Sequence, residues 1–449
     1  MEATHRSFVS FIFVLVICIA CDLRTTSGDE PSSETKSILV ESVDDDLDAT
    51  SDWPHFRGPR HRITSRFGPP SVAWARNDTP PLRWVYKESG TGYGGPVVSS
   101  GHVVMMILRN DREIVVCLDL DTGNELWGTE VGPTVTPPCC CLPGPRSTPT
   151  IERDSVFVLG STGTIMRLRL DDGTVAWKRR MEDFGGRQPA FGFAESPLVS
   201  MEHLLLTPGG DRGAIVGLNP RTGELIWQAK QIRGDALYTS IIDLPLVAGS
   251  PDRFVQLLSG NLVLFDIHGN LLSSAPWDGH SQWQATSPIP IGPFRVLAIG
   301  RSGNAMFKLN AARNDLVTQY QNGKPTTYHH GALVAGNRVL VNNAAMQAMD
   351  LETGETVLEQ RKSFDRGPLI GNDSWVLAAE NKNSLNRADP PRFVLLQPQQ
   401  NMKVLANFML PQRSVHASDS KYNGIVTHPV ISNDCLFIRD QERLYCFQW

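Results

Sequence analysis

Along most of the chain, short apolar runs alternate with clusters of Gly, Pro, Asn, Asp and Ser. Residues 103–108 (VVMMIL), 155–160 (SVFVLG), 203–208 (HLLLTP), 295–300 (RVLAIG) and 338–343 (RVLVNN) are examples. Few stretches carry the three-to-four-residue apolar period of an amphipathic helix. Apolar runs of this length, bounded by turn residues and evenly spaced, predict strands throughout, and therefore an all-β chain.

The pattern also repeats at long range. Residues 118–127 read LDLDTGNELW, 168–177 LRLDDGTVAW and 218–227 LNPRTGELIW, so Trp127, Trp177 and Trp227 fall 50 residues apart. A period of that size marks an array of like units. Each unit opens with a strand led by a small residue and often Pro, at Gly95, Thr148, Ser196, Ser240, Ser287, Gly331, Gly367 and finally His428. It ends in an Asp/Asn-x-x-Thr/Asp-Gly hairpin. Asp119, Asn219 and Asp350 have side chains suited to bond the turn backbone, and Gly123, Gly173, Gly223 and Gly354 admit positive φ. The large residue four positions later (Trp127, Trp177, Trp227, Leu358) is placed to pack on a neighbouring sheet. Two units have lost this signature: Asp266 to Gly269 is one residue shorter, and Asn310 to Leu316 has no turn glycine. A polar insertion runs near Asn381 to Pro391.

Four-stranded sheets that cannot bury both faces alone bury them by radial stacking. Eight opening strands with seven internal exits leave one strand missing. The segment from Pro81 to Lys87 supplies it, with Trp84 in the docking role, and removes an exposed edge. The expectation is an eight-bladed β-propeller of four-stranded antiparallel blades, its ring closed by an N-terminal strand.

The length of 449 residues would suggest ~3 ordinary domains, but a closed array of repeats makes residues 53–449 one body. The formal net charge of −5 is concentrated. Residues 22–52 hold ten acids against only Arg24 and Lys36, with no aromatic residue, and read as an acidic disordered tether. The rest is close to neutral and has no basic stripe interleaved with aromatics, so nucleic acid is not an expected partner. Residues 1–21 read as a signal peptide: His5 and Arg6 precede an apolar run from Phe8 to Ala20, too short to span a bilayer. Its end resembles a bacterial lipoprotein box with Cys21 as the lipidated residue, although Cys18 stands where Leu is usual. An ordinary signal peptide cut nearby is the other reading. A monomer in the periplasm is expected, touching the membrane only through such an anchor.

The three tryptophan-bearing decapeptides resemble the docking repeats of the pyrroloquinoline quinone (PQQ) propeller superfamily. That superfamily includes quinoprotein alcohol dehydrogenases and the catalytically silent barrel-assembly lipoprotein of the bacterial outer membrane. The segments at 53–59 (WPHFRGP), 144–149 (GPRSTP), 184–187 (FGGR) and 195–197 (ESP) resemble most a third set, exported bacterial PQQ-like repeat proteins. The resemblance covers residues 53–449. It speaks for the fold more than for an activity, because function sits in sites.

For a dehydrogenase, the resemblance implies a vicinal cysteine pair against PQQ, a Ca²⁺ on the quinone and an Asp base. Cys139 and Cys140, in the triplet with Cys141, are the candidate pair, and Glu195 the candidate Ca²⁺ ligand. The prolines around the triplet favour a rigid surface turn, with a structural role for the cysteines. No later Asn and Asp complete the calcium site, and no Trp is assigned as a ring platform. No Cys-x-x-Cys-His motif carries electrons away. Zinc-protease, serine-hydrolase and phosphate-loop motifs are also absent from the sequence. The glycines of residues 90–95 match a dinucleotide string, but they lead into a strand rather than a helix.

Any propeller lines its channel with blade-mouth polar residues. Here Arg146, Tyr238, His329, His330, Arg366 and His428 are the candidates for ligand binding, alongside Glu195. Adjacent residues on a strand face opposite ways, so His329 and His330 chelate one ion only if they sit in a loop. Arg57 either reaches into the channel or, the reading preferred, pins the N-terminal segment. Pairing Ile438 with Arg443 would set Cys435 opposite Cys446. A disulfide there is geometrically demanding, and two buried thiols are preferred. Cys117 reads as core.

The leading expectation is a non-catalytic exported propeller that binds a protein of the envelope or a small ligand at its rim or channel mouth. No cofactor is expected under that reading. The alternatives are a PQQ- and Ca²⁺-dependent quinoprotein dehydrogenase and an outer-membrane protein assembly scaffold.

Overall fold

In the computed structural model, residues 52–58, 68, 79–138, 141–245, 252–277, 281–310, 315–327, 330–360, 366–380, 390–418 and 427–449 are described. Cys21, the signal segment and the tether up to residue 51 lie outside the described residues, as do Cys139, Cys140, His329 and most of the polar insertion (381–389).

The described strands form eight four-stranded sheets, each antiparallel. In blade 1 they run Val97–Ser99, His102–Arg109, Arg112–Asp119 and Glu125–Pro133, from the inside outward. The inner strands are short throughout, two or three residues, as at Ile242–Asp243 in blade 4 and Ile289–Pro290 in blade 5. Helix among the described residues is limited to three 3-10 turns, and no helix there is long and apolar enough to cross a membrane.

The core lies between blades rather than within them. Val104 and Val115 of blade 1 pack with Val156 and Met166 of blade 2. Corresponding apolar layers join blades 2 and 3, 3 and 4, 4 and 5, and 5 and 6. A larger cluster joins blades 6, 7, 8 and 1 and so completes the ring. Strand alternation makes this possible, because each pleated sheet turns an apolar face to both neighbours.

The tryptophans join the outer strands. Trp127 Nε1 of blade 1 donates to the Leu170 carbonyl of blade 2 (2.8 Å), and Trp177 Nε1 donates to Pro220 O of blade 3 (2.9 Å). Each ring lies on the turn glycine of the next blade, Gly173 or Gly223, where a Cβ would collide with it. Trp227 lies on Gly269 of blade 4 in the same way, so the shortened hairpin keeps this function. Blade 5, which lacks the signature, uses Tyr320. Its hydroxyl donates to Leu351 O and its ring covers Gly354.

The ring closes as expected. Leu82–Tyr86 pairs antiparallel with Arg443–Gln448 as the outer strand of blade 8, and Trp84 donates to Leu120 O of blade 1 (2.9 Å). The register of the last hairpin corrects the sequence reading. Ile438 pairs with Tyr445, so Cys435 faces Gln448 and Cys446 faces Phe437. The turn is tighter than assumed, with Asp440 opposite Arg443. Cys435, Cys446 and Cys117 are free and buried.

Candidate functional site

The inner strands explain why so many units open on Ser or Thr. Gly95 N–H donates to Thr148 Oγ1 (3.0 Å), Thr148 N–H to Ser196 Oγ (3.1 Å), Ser196 N–H to Ser240 Oγ (3.0 Å) and Ser240 N–H to Ser287 Oγ (2.8 Å). Each hydroxyl ties its blade to the preceding one, from blade 1 to blade 5. The series ends there, because blades 6, 7 and 8 open on Gly331, Gly367 and His428.

Residues 52–58 occupy the other side. Asp52 accepts from Ser99 Oγ (2.7 Å) on blade 1 and Asn433 Nδ2 (3.3 Å) on blade 8. Trp53 exchanges backbone hydrogen bonds with Val98 of blade 1, and Pro54 O accepts from Ile151 N–H of blade 2. Arg57 then donates through Nη1 to Ser287 O (3.4 Å) and Pro288 O (3.3 Å) of blade 5. Blades 1 and 5 are diametrically opposite in an eight-membered ring, so this segment, extended by the Arg57 side chain, reaches across it. Arg57 both reaches into the channel and pins the segment. Gly331 makes room for it: a Cβ there would lie 3.1 Å from Arg57 Nη2. Arg57 has φ +66° and Gly58 φ +70°, a left-handed turn at the end of the segment.

Above this floor lies a cavity of about 520 Å³, within the range of small-molecule sites. Thr148, Ser196, Ser240 and Ser287 line it together with Trp53, Phe56, Arg57 and His428. Its wall is aromatic. Arg146 lies over Tyr93 (4.4 Å to the ring centroid) and over Phe191 (5.5 Å), and its Nε donates to Phe191 O. Phe191 meets Tyr238 and Trp283 edge-on at 5.8 and 4.9 Å. Such contacts hold the rings in fixed orientations. Burial pushes the Tyr93 phenol up to about 12 and raises that of Tyr238, so both stay neutral at ordinary pH.

The charged side chains lining the cavity are Arg57, Arg146 and Arg301; among the described residues no Asp or Glu lines it. His428 also lines it, and burial, with the charge of Arg57 beside it, drives its imidazole down to about 3.

The sequence candidates separate here. Arg146, Tyr238 and His428 come together in the cavity wall. Cys141 also lines it, whereas Cys139 and Cys140 lie outside the described residues. Half-buried Arg366 and buried His330 are not among the lining residues. Glu195 faces into the protein. Its carboxylate accepts from Thr207 N–H (2.6 Å), Thr207 Oγ1 (2.8 Å) and Gln256 Nε2 (3.2 Å). Burial outweighs these donors and raises its pKa to about 8. Trp283 and Trp53 line the cavity although sequence reasoning assigned no tryptophan there. Trp283 sits outside the repeat signature, and Trp53 precedes the first repeat.

The quinoprotein alternative implies a resident calcium ion. Ca²⁺ takes six to eight oxygen ligands, usually with carboxylates among them. The described lining offers none, and Glu195 is engaged by three donors inside the wall. No cluster of three or more His, Cys, Asp or Glu suited to a metal occurs among the described residues. These residues do not fit a calcium-bound quinone.

Comparison with known proteins gives a consistent fold. The family model described as Outer membrane protein assembly factor BamB matches residues 71–271 and 112–360. Among curated proteins, the chain is 23% identical over 178 residues to Outer membrane protein assembly factor BamB of Yersinia pestis, covering 39% of this chain and 41% of that one. It is 24% identical over 164 residues to Quinoprotein alcohol dehydrogenase PedH of Pseudomonas putida, covering 34% of this chain and 26% of that one. Each match takes in less than half of the relative's own length. The solved structure of BamB from Moraxella catarrhalis aligns with 80% of the chain at 15% identity and a TM-score of 0.39.

Proposed function

The chain belongs to the family described as Outer membrane protein assembly factor BamB, and from that premise we propose that it is a non-catalytic, exported binding propeller whose working face is the channel mouth. The observation that carries this reading is the cavity itself. It is preformed, walled by braced aromatic rings and lined by arginines without an opposing carboxylate among the described residues. That arrangement suits binding, and no carboxylate base lines it among the described residues. A residue that takes a proton from an alcohol must sit within hydrogen-bond reach of it. His428 lines the cavity, but its depressed pKa makes it a poor base, and Glu195 is behind the wall. In the full chain, added PQQ and Ca²⁺ are expected to give no dye-linked alcohol oxidation. Turnover in that assay would sink the proposal.

A second reading is favoured by a different surface. The outer strands expose Leu126, Leu225, Ile226, Val317, Val357 and Val404, each at least 48% accessible except Leu225 at 46%. Single exposed apolar residues are ordinary, but a series on the outer strands of blades 1, 3, 5, 6 and 7 suits an envelope protein that docks along the rim, in keeping with an assembly role. Photo-crosslinkers at Ile226 and Val357 are expected to capture one and the same envelope protein. Capture from neither position removes this reading.

A further inference from the structure

Three arginines among the described residues are almost fully buried: Arg253, which lies over the Phe294 ring and is not among the residues lining the cavity, and Arg57 and Arg439, which differ in one respect. Arg439, 2% exposed, spends its guanidinium on backbone carbonyls: Nη1 reaches Gly94 O (2.6 Å) and Met106 O (2.9 Å), Nη2 reaches Ser89 O, and Nε reaches Gln441 O. Arg57, 3% exposed, has only two long bonds from one nitrogen, and its Nε is buried with no partner. No carboxylate among the described residues pairs with it. Arg439 is a finished structural element. Arg57 is a buried cation lacking its counter-charge, a costly state unless something supplies an anion.

The floor around it has the matching deficit. Thr148, Ser196, Ser240 and Ser287 are each 5% exposed or less, and each hydroxyl oxygen already accepts a backbone N–H. A hydroxyl carries one proton to donate as well as lone pairs to accept. Among the described residues none of these four protons is given to a protein acceptor. All four hydroxyl residues and Arg57 line the same cavity. Its floor is therefore an arc of unspent donors ending in a cation, and its wall is formed by Tyr93, Phe191, Tyr238 and Trp283.

We infer that this cavity binds a small aromatic carboxylate, its carboxylate held by Arg57 and the Ser/Thr arc and its ring packed against the Phe191–Trp283 wall. An acceptor-only group answers donor after donor without leaving a proton unmatched, and charge-assisted bonds are the strong ones. A flat apolar body answers the rings, which favour edge-on or offset contact. The inference rests on the channel mouth being a binding face, and it adds the chemistry of what is bound.

The full chain, titrated by calorimetry with 2-naphthoate and with neutral 2-naphthamide, tests it. The acid is expected to bind saturably, at least tenfold tighter than the amide, and R57Q is expected to remove that preference. Inorganic phosphate at the same concentration is expected not to displace the acid, because it lacks the ring. Equal binding of acid and amide, absence of binding by either, an unaltered preference in R57Q, or displacement by phosphate overturns the inference. Should R57Q not fold, S240A serves instead. It is expected to weaken the acid severalfold and leave the amide unchanged, and equal effects on both overturn the inference. Turnover with PQQ would sink the non-catalytic reading and leave this one standing; loss of the acid-over-amide preference does the reverse.

Discussion

A turn glycine in this protein serves two blades. Gly173 takes φ +70° to close the hairpin of blade 2, and its missing side chain is where Trp127 of blade 1 rests. G173A therefore strains the backbone and displaces an indole. It is expected to lower stability by about 1–3 kcal/mol in urea unfolding, well beyond the usual effect of a surface change. The sequence displayed these pairs because both partners are distinctive residues at fixed spacing. It hid Tyr320 because blade 5 lacks the turn motif, and only Gly354 in the following blade signalled that a ring must arrive there. Glu195 was visible too, but not its direction. Burial raises its folded pKa to about 8, above the unfolded value near 4.3. Its contribution to stability is thus fully present below about pH 4 and is lost as pH rises through 8. The melting temperature of the wild type is expected to fall between pH 5 and 8 relative to that of E195Q. Parallel curves would show that the buried carboxyl is not the titrating group.

The elements most exposed to failure are those at the ring's seam. Leu82–Tyr86 covers the edge of Arg443–Gln448, whose N–H and C=O groups would otherwise be free to pair with another chain. Deleting residues 82–86 is expected to produce larger assemblies than the wild type by light scattering, while W84A, which keeps the strand, is expected to match the wild type in size but to lose roughly 3 kcal/mol. This seam was legible from counting alone, since eight openings and seven exits require a borrowed strand. The final hairpin was not. Alternation shows which residues share a face, but a two-residue slip preserves that alternation, so the offset of Cys435 from Cys446 emerged only from the pairing of Asp440 with Arg443. The inner strands lie between these cases. Their Ser and Thr openings stood out in the sequence, and the reason for them, a hydroxyl accepting the N–H of the blade before, belongs to the closed ring.

At the level of the whole molecule, the cavity is lined by residues between Trp53 and Val430, nearly the full length of the propeller. Reading one unit at a time reaches the blade mouths, and so found Arg146, Tyr238 and His428. It does not reach Trp283 or the convergence of three arginines, which depend on how eight units meet. Calcium added to the full chain is expected to leave the melting temperature unchanged, since no carboxylate lines the cavity among the described residues; a rise of several degrees would restore the metal alternative. The reach of residues 52–58 across the ring has its own consequence. Trp53 and Pro54 are tied through their backbones to blades 1 and 2 and Arg57 through its guanidinium to blade 5, so one short segment braces opposite sides of the ring. It works as a strut: a change that loosens it disturbs the lining of the cavity and the spacing of the blades together.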